Sequence, residues 1–269
     1  VVAKDEINSS IRYAAKLQNA LLPKMFPGDI DINVEWRPRD LVGGDIYFIK
    51  DLPDRVYIAV VDCTGHGVPG AFLSIIARSH LDKAITPDDY QSAGAYLSKV
   101  HELLKDTLNR SDQKNTSEEG FDGGVCIYYR SERRLEFAGA KASIFQVKVD
   151  GATETGGDRK SVGSTRMKED FEYTTRVIDD SNGAFVMLTD GITDVMSEEE
   201  RPIAFGRRRV LKLLQQTADK SPKNIVQSIM KSVDLYRGGA PFRDDLTLLA
   251  FSLNEEIPNA GSQAKEDTI

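Results

Sequence analysis

The 269-residue chain is 40% hydrophobic and 29% charged, the balance of a soluble globular protein with room for one large domain or two small ones. Its net charge of −7 withholds the basic footprint that non-specific nucleic-acid binding needs, and no apolar stretch reaches the length of a membrane span. The first residue is Val1 rather than methionine and no signal peptide is visible, so a piece of a longer protein is expected, with a sensor or membrane region upstream.

Residues 4–22 carry Ile7, Ile11, Ala14, Ala15, Leu21 and Leu22 near helical spacing, and Pro23 ends the run. This helix either lies on its own domain or is the tail of a coiled coil from an upstream module. Strands are predicted at 30–36, 46–49 and 56–61, with Asp45 at the turn between the first two. Helices follow at 68–84 and 89–110, then a polar loop over 111–120. Strands at 124–129, 135–138 and 143–149 read as antiparallel hairpins. Cys63 and Cys126 fall in strands, where thiols are buried and reduced, as suits the cytosol.

Residues 151–170 are rich in Gly, Thr, Ser and charge and predict a long loop. Strands at 171–177 and 184–188 are expected to pair across the turn Asp179-Asp180-Ser181-Asn182-Gly183. Helices at about 207–217 and 222–236 follow, the second opened by Ser221 as N-cap and Pro222 at its first position. Arg207-Arg208-Arg209 begins the first of these; it faces water or, in a sharper reading, contacts phosphate or a partner. A strand at 246–253 closes the domain, and 255–269 reads as a disordered tail. Hairpins dominate and regular βαβ alternation is absent. The fold class is therefore α+β, antiparallel sheets with helices outside. The expected organisation is a regulatory helix over 1–23, one domain over 24–254, and the tail.

Aspartates stand where apolar runs end: Asp45 in Val42-Gly43-Gly44-Asp45, Asp62 in Asp62-Cys63-Thr64-Gly65-His66-Gly67, Asp190 in Thr189-Asp190-Gly191, and Asp244 in Asp244-Asp245-Leu246-Thr247. Carboxylates at the ends of buried strands are costly unless a cation lies between them. Two of them about 5 Å apart at an effective dielectric of ~20 repel by roughly 3 kcal/mol. Gathered together, they imply divalent metal ions. With only oxygen ligands, and no His or Cys pair at ligand spacing, the ions are hard: Mn²⁺ or Mg²⁺. Taken singly, each has a duller reading: Asp62 as a helix cap, Asp190-Gly191 as a common turn, and Asp244 or Asp245 as a cap.

In this order and spacing the four motifs resemble the PPM family of metal-dependent protein serine/threonine phosphatases, in the bacterial branch typified by SpoIIE and RsbU, with SiaA-type members joined to membrane sensors also similar. The resemblance runs from about Leu21-Leu22-Pro23 to Phe251 and takes in Phe205-Gly206 and Ser221-Pro222. It implies a sandwich of two antiparallel β-sheets flanked by helices, with two Mn²⁺ or Mg²⁺ ions, or a third, at one end. Carried onto this chain, Asp62 bridges the ions, Asp190 and Asp244 complete one, and Asp45 holds the other directly or through water. The main-chain carbonyl of Cys63 is a further ligand, and Asp245 supports from behind. The implied reaction is direct attack of a metal-bridging hydroxide on phosphorus.

His66 either protonates the leaving oxygen or packs beside the centre. His80 and His101 fall within helices and read as structural. Arg39 stands near the position where many animal members hold phosphate with arginine, and is otherwise a surface residue. Lys141, in Gly139-Ala140-Lys141-Ala142 where the branch often has Gly-His-Pro, contacts phosphate or substrate or merely turns a hairpin. The branch implies a phosphorylated STAS-domain protein of the anti-sigma-factor-antagonist type as substrate, in a partner-switching pathway. It also implies a cytoplasmic domain tethered to the inner membrane. Position alone suggests a homodimer through the N-terminal helix, which passes an upstream signal by changing how two chains pair, with the helix after Gly67 shifting the Asp62 loop. The rival readings are a pseudophosphatase that works by regulated binding and another two-metal phosphoester hydrolase.

Overall fold

The computed structural model describes residues 2–87, 89–109, 119–165, 170–179, 182–217 and 220–254. The expected tail at 255–269 and most of the expected loop at 111–120 lie outside them. In chain order the elements are α1 (Val2–Leu21), β1 (Ile30–Arg37), β2 (Asp45–Asp51), β3 (Arg55–Cys63), α2 (Gly67–Lys83), α3 (Ala93–Asn109), β4 (Phe121–Tyr129), β5 (Arg134–Ala140), β6 (Ser143–Lys148), β7 (Gly151–Gly156), β8 (Arg176–Ile178), β9 (Ala184–Leu188), α4 (Asp190–Thr193), α5 (Arg207–Gln216), α6 (Pro222–Arg237) and β10 (Leu246–Leu253). Two antiparallel five-stranded sheets result, one in the order β1-β10-β9-β6-β7 and the other β2-β3-β4-β5-β8. The expected α+β sandwich is the fold observed.

Side-chain alternation explains the layering. On β10, Leu246, Leu248 and Ala250 pack outward with Ile225, Ile229 and Val233 of α6. The intervening Leu249 and Phe251 face the other sheet, as do Phe185 and Met187 of β9. Phe185 and Phe251 stack with centroids 5.2 Å apart. The second sheet answers in kind: Cys126 meets Met187 across the interface at 3.9 Å, while Tyr57 turns outward onto Tyr96 of α3. Cys63 and Cys126 are buried and unpaired. Four layers follow: α2 and α3, sheet, sheet, α5 and α6.

Four sequence expectations need correction. The helix expected from 89 begins at Ala93, because the buried Glu136 carboxylate of β5 accepts the Ala93 N–H at 3.0 Å and so caps it there. The expected long loop opens instead with β7, which pairs along its whole length with β6. This edge strand has no apolar face to announce it. The expected hairpin of 171–177 with 184–188 does not form: β8 is short and pairs with β5, whereas β9 pairs with β6 and β10 in the opposite sheet. Asp45 is not a turn between paired strands, since β1 and β2 lie in different sheets and Asp45 opens β2.

His80 and His101 are structural, as expected: His80 Nε2 lies 2.9 Å from Thr107 Oγ1, and His101 Nδ1 accepts the Gly163 N–H at 3.0 Å. Phe251 is fully buried at the centre of the sandwich. Phe251→Ala is expected to lower unfolding free energy by about 3–5 kcal/mol, read as a fall in urea midpoint at unchanged slope.

Candidate metal centre

The same alternation builds the site. Thr189 continues the inward series Phe185, Met187 beyond the end of β9, and Thr247 precedes Leu249 and Phe251 on β10. Both hydroxyls therefore point into the seam, where they meet the first residue of β2. Asp45 Oδ2 accepts from Thr189 Oγ1 at 2.7 Å and from Thr247 Oγ1 at 2.8 Å. Thr189 Oγ1 in turn accepts the Thr247 N–H at 3.0 Å, and the Asp45 carbonyl accepts the Trp36 indole N–H at 2.9 Å. Burial raises the Asp45 pKa, and the two hydroxyls pull it part of the way back.

In the register of the second sheet Asp45 lies opposite Asp62, and Asp62 opposite Asp122. Three carboxylates thus stand side by side on the inward face of three adjacent strands. Asp190, which opens α4 from the facing sheet, bears on Asp62 electrostatically. Burial, then the charges of Asp45 and Asp190, push the Asp62 pKa up to about 10. Asp190 is raised by burial and by Asp194, Asp244 and Asp122, against a lowering by Asp62. The cluster therefore extends to Asp122 and Asp194, which sequence reasoning missed. Asp122 Oδ1 is buried without a hydrogen-bond partner, while Oδ2 lies 3.4 Å from Lys141 Nζ. The signal was available: extending the β4 alternation two residues back from Gly124 places Asp122 on the face of Asp62.

Asp245 has the supporting part. Its buried carboxylate accepts the backbone N–H of Arg39 at 2.7 Å and of Gly44 at 2.6 Å, holding the Val42–Asp45 loop. Small residues are required around it. A Cβ on Gly43 would lie 2.5 Å from the Asp245 carboxylate, and one on Gly191 only 1.7 Å from the Asp245 carbonyl. Asp244, partly exposed, accepts the Asp245 N–H at 2.8 Å. The Cys63 carbonyl faces Gly44, 2.7 Å from where a Cβ there would stand.

The remaining candidates are dispersed. His66, half exposed, precedes α2 with Nδ1 3.6 Å from Asp40 Oδ2. The Arg39 guanidinium is engaged by the Arg243 carbonyl at 3.1 Å and by Asp40 at 3.2 Å. Lys141 adopts φ 52°, a left-handed conformation disfavoured for lysine, fixed by its N–H to the Asp158 carbonyl at 2.6 Å and by a bridge to Gly123.

A further residue that sequence reasoning missed comes from α1. Gln18, buried, donates to the Gly43 carbonyl at 2.6 Å and to Ser74 Oγ of α2 at 3.0 Å, and it accepts the Gly43 N–H at 3.2 Å. One amide thus ties α1 to both the Asp45 loop and α2. No sequence signal marks it: one glutamine in an amphipathic helix reads as solvent-facing.

All-oxygen donors and an excess of carboxylates fit a hard divalent cation. Among the described residues no group of three or more His, Cys, Asp or Glu already converges as a metal cage. Asp45 is turned onto its threonines. The excess of carboxylates fits the charge of such an ion.

Residues 53–254 match the family model described as Stage II sporulation protein E (SpoIIE). Among curated proteins, phosphoserine phosphatase RsbU of Bacillus subtilis (strain 168) is 26% identical over 259 residues, 91% of this chain and 70% of that protein. Among solved structures, the SiaA-PP2C domain of Pseudomonas aeruginosa superposes with a TM-score of 0.81 at 31% identity, covering 94% of this chain and 99% of that one. RsbX, solved in complex with magnesium, shares the fold with a TM-score of 0.58 at 16% identity, over 86% of this chain and 98% of its own.

The carboxylate shifts set a pH dependence. Asp62 and Asp45 lie above their ordinary value of 3.8, so above pH 4 the folded protein binds more protons than the unfolded chain. Stability is then lost as pH rises through the folded values. His80 and His101, lowered by burial, act only on the acid side of 6.5. Between pH 7 and 8.5 the metal-free protein is therefore expected to melt at progressively lower temperature. Mn²⁺ is expected to restore the melting temperature, with a larger gain at pH 8.5 than at pH 7, as thermal scans with and without chelator check.

Proposed function

The chain belongs to the SpoIIE family of PP2C-type serine/threonine phosphatases, and on that basis we propose that the acidic end of its sandwich is a Mn²⁺- or Mg²⁺-dependent site for hydrolysing phosphoserine or phosphothreonine. The observation that carries this is the register that sets Asp45, Asp62 and Asp122 side by side on three adjacent strands, with Asp190 at the start of α4 bearing on Asp62 from the facing sheet. Asp62, Asp190 and Asp244 hold the ions, with the Cys63 carbonyl and Asp45 completing the set and Asp122 and Asp194 adding charge beside Asp190. When bound, the ions supply a water of lowered pKa and positive charge opposite the phosphoryl oxygens.

The chain's own groups do the rest. Asp245 and the glycines fix the loop that presents Asp45. In the same reading His66, four residues past Asp62 and beside Asp40, gives a proton to the leaving serine oxygen. Lys141, in its strained conformation with Nζ beside Asp122, is favoured over Arg39 as the group that meets phosphate because it lines the same cleft as Asp190, whereas the Arg39 guanidinium lies with Arg243 and Asp40.

The substrate we infer is a phosphorylated STAS-domain protein of a partner-switching circuit. The likeness to RsbU, a phosphoserine phosphatase by name, supports this. Residues 24–254 are then the phosphatase domain and 1–23 its regulatory helix. Exposed Ile7, Tyr13, Leu17 and Leu21 on α1 support pairing with a second copy. Among the described residues no helix is long and apolar enough to cross a membrane. A cytoplasmic domain tethered to the inner membrane by an upstream region is part of the same proposal. Gln18 gives α1 a direct hold on the Asp45 loop, so movement of α1 changes how well the site takes up metal.

Phosphate release from an aryl phosphate and a phosphoserine peptide with Mn²⁺ tests the chemistry. Asp190→Ala is expected to lower kcat/KM at least about a hundredfold, ~2.7 kcal/mol of transition-state stabilisation, as is chelation of the wild type. A folded Asp190→Ala protein with full turnover would overturn the reading. For regulation, Gln18→Ala leaves the Gly43 backbone groups unsatisfied, at a cost of about 1–3 kcal/mol. Weaker Mn²⁺ activation, by roughly tenfold in the concentration required, is expected in a metal titration of activity.

A further inference from the structure

Beside Asp190 opens a cleft of about 330 Å³ lined by residues of both charges. Asp190 and Asp194 of the acidic cluster line it together with Lys141, Ser143, Phe145 and Arg207. Arg207 belongs to the chain's only tight basic run, yet the three arginines differ in what they touch. Arg209 turns back onto the carbonyls of Ala204 at 3.2 Å and Phe205 at 2.8 Å and over the ring of Tyr236. Arg208 is exposed, and only Arg207 of the run lines the cleft.

Its position is fixed relative to the site. Gly206, at φ 75°, donates its N–H to the Thr193 carbonyl at 2.8 Å, and Thr193 ends the short helix that Asp190 begins. The guanidinium carbon lies 5.8 Å from the centre of the Phe145 ring, and Nη2 donates to Ser143 Oγ at 2.6 Å. Nη2 also pairs with Glu154 of β7. Both polar contacts use one edge of a fork that carries five N–H donors. No acidic residue occupies the first turn of α5 and no side chain caps it.

We propose that this cleft is a recognition subsite in which Arg207 receives the carboxylate of an acidic residue flanking the phosphorylated serine or threonine. The inference rests on the phosphatase reading of the acidic cluster. It follows from the polarity of the cleft. The phosphoryl group belongs beside Asp190 with the cations, so a flanking side chain of the substrate that enters the cleft meets Arg207, which lines it too. A guanidinium meets a carboxylate through two parallel hydrogen bonds, a geometry that discriminates acidic from basic or neutral side chains. The chain as a whole carries −7 and repels acidic ligands. A guanidinium with unused donors in the cleft therefore governs which acidic sequences are accepted.

The test compares two phosphoserine peptides that differ only in glutamate or lysine residues around the phosphoserine. Wild type, Arg207→Ala, Arg207→Glu and Arg207→Lys are each assayed for kcat/KM with Mn²⁺. They are assayed also for Kd, by fluorescence polarisation, with the same peptides carrying a non-hydrolysable phosphonate. The quantity read is the glutamate-to-lysine preference within each protein. Wild type is expected to favour the glutamate peptide by about tenfold. Arg207→Ala is expected to bring the ratio near one, Arg207→Glu to reverse it, and Arg207→Lys to keep part of it. A wild type without preference, or an Arg207→Ala protein that keeps the full preference, overturns the proposal. Failure of the wild type to release phosphate from either peptide counts against the phosphatase reading, and the Kd ratio still decides the role of Arg207.

Discussion

Asp45 lies at the seam between the two sheets, its carboxylate held by hydroxyls from the ends of two strands of the facing sheet. A carboxylate this deep is held in place only because Thr189 and Thr247 supply hydrogen bonds where water does not reach. The contact sets the spacing of the sheets at one end of the sandwich and fixes the start of β2. Through the register of β2, β3 and β4 it sets where Asp62 and Asp122 stand. Thr189 sits next to Asp190, so the same clamp places the carboxylate that approaches from the other side. A site assembled from both sheets needs a pin between them, and this is the pin.

The price of such a cluster is like-charge repulsion. Burial and the neighbouring carboxylates raise the pKa of Asp62, so a proton relieves part of that repulsion; on the proposed reading a divalent cation relieves it more completely and brings reactivity with it, and that competition links fold to regulation. Gln18 holds the backbone of Gly43, two residues from Asp45, and at the same time Ser74 of α2. A shift of α1 is felt at the loop that shapes the cluster without passing through the core. From sequence position alone, α2 is the element that would carry a signal to the Asp62 loop; the amide of Gln18 offers a shorter route, by way of Gly43.

Strand ends with aspartates are legible because a charge that closes an apolar run is costly unless a site requires it, and this cost marks Asp45, Asp62, Asp190 and Asp244. The rest depends on contacts between residues far apart in sequence. Asp122 is hidden because the apolar pattern of its strand starts two residues later, at Gly124, and two glycines blur the alternation. The start of α3 is not readable, because its cap is Glu136, more than forty residues on. Strand β7, polar on both faces at a sheet edge, carries no periodic apolar signal. Strand β8 looks like half of a hairpin because residues of turn type follow it in the sequence, but β8 and β9 lie in opposite sheets. The Arg207 run shows its charge in the sequence but not its direction, which the Gly206–Thr193 bond sets.

On the proposed reading, protons and hard cations compete for one carboxylate cluster centred on Asp62. The decisive experiment is calorimetric titration of Mn²⁺ into metal-free protein, repeated at one pH in two buffers of different ionisation enthalpy. Saturable binding is expected, with an apparent heat that differs between the buffers by the release of about one proton, and with loss of that release in Asp62→Asn. Saturable binding with no proton release, or binding unchanged in Asp62→Asn, would contradict the competition.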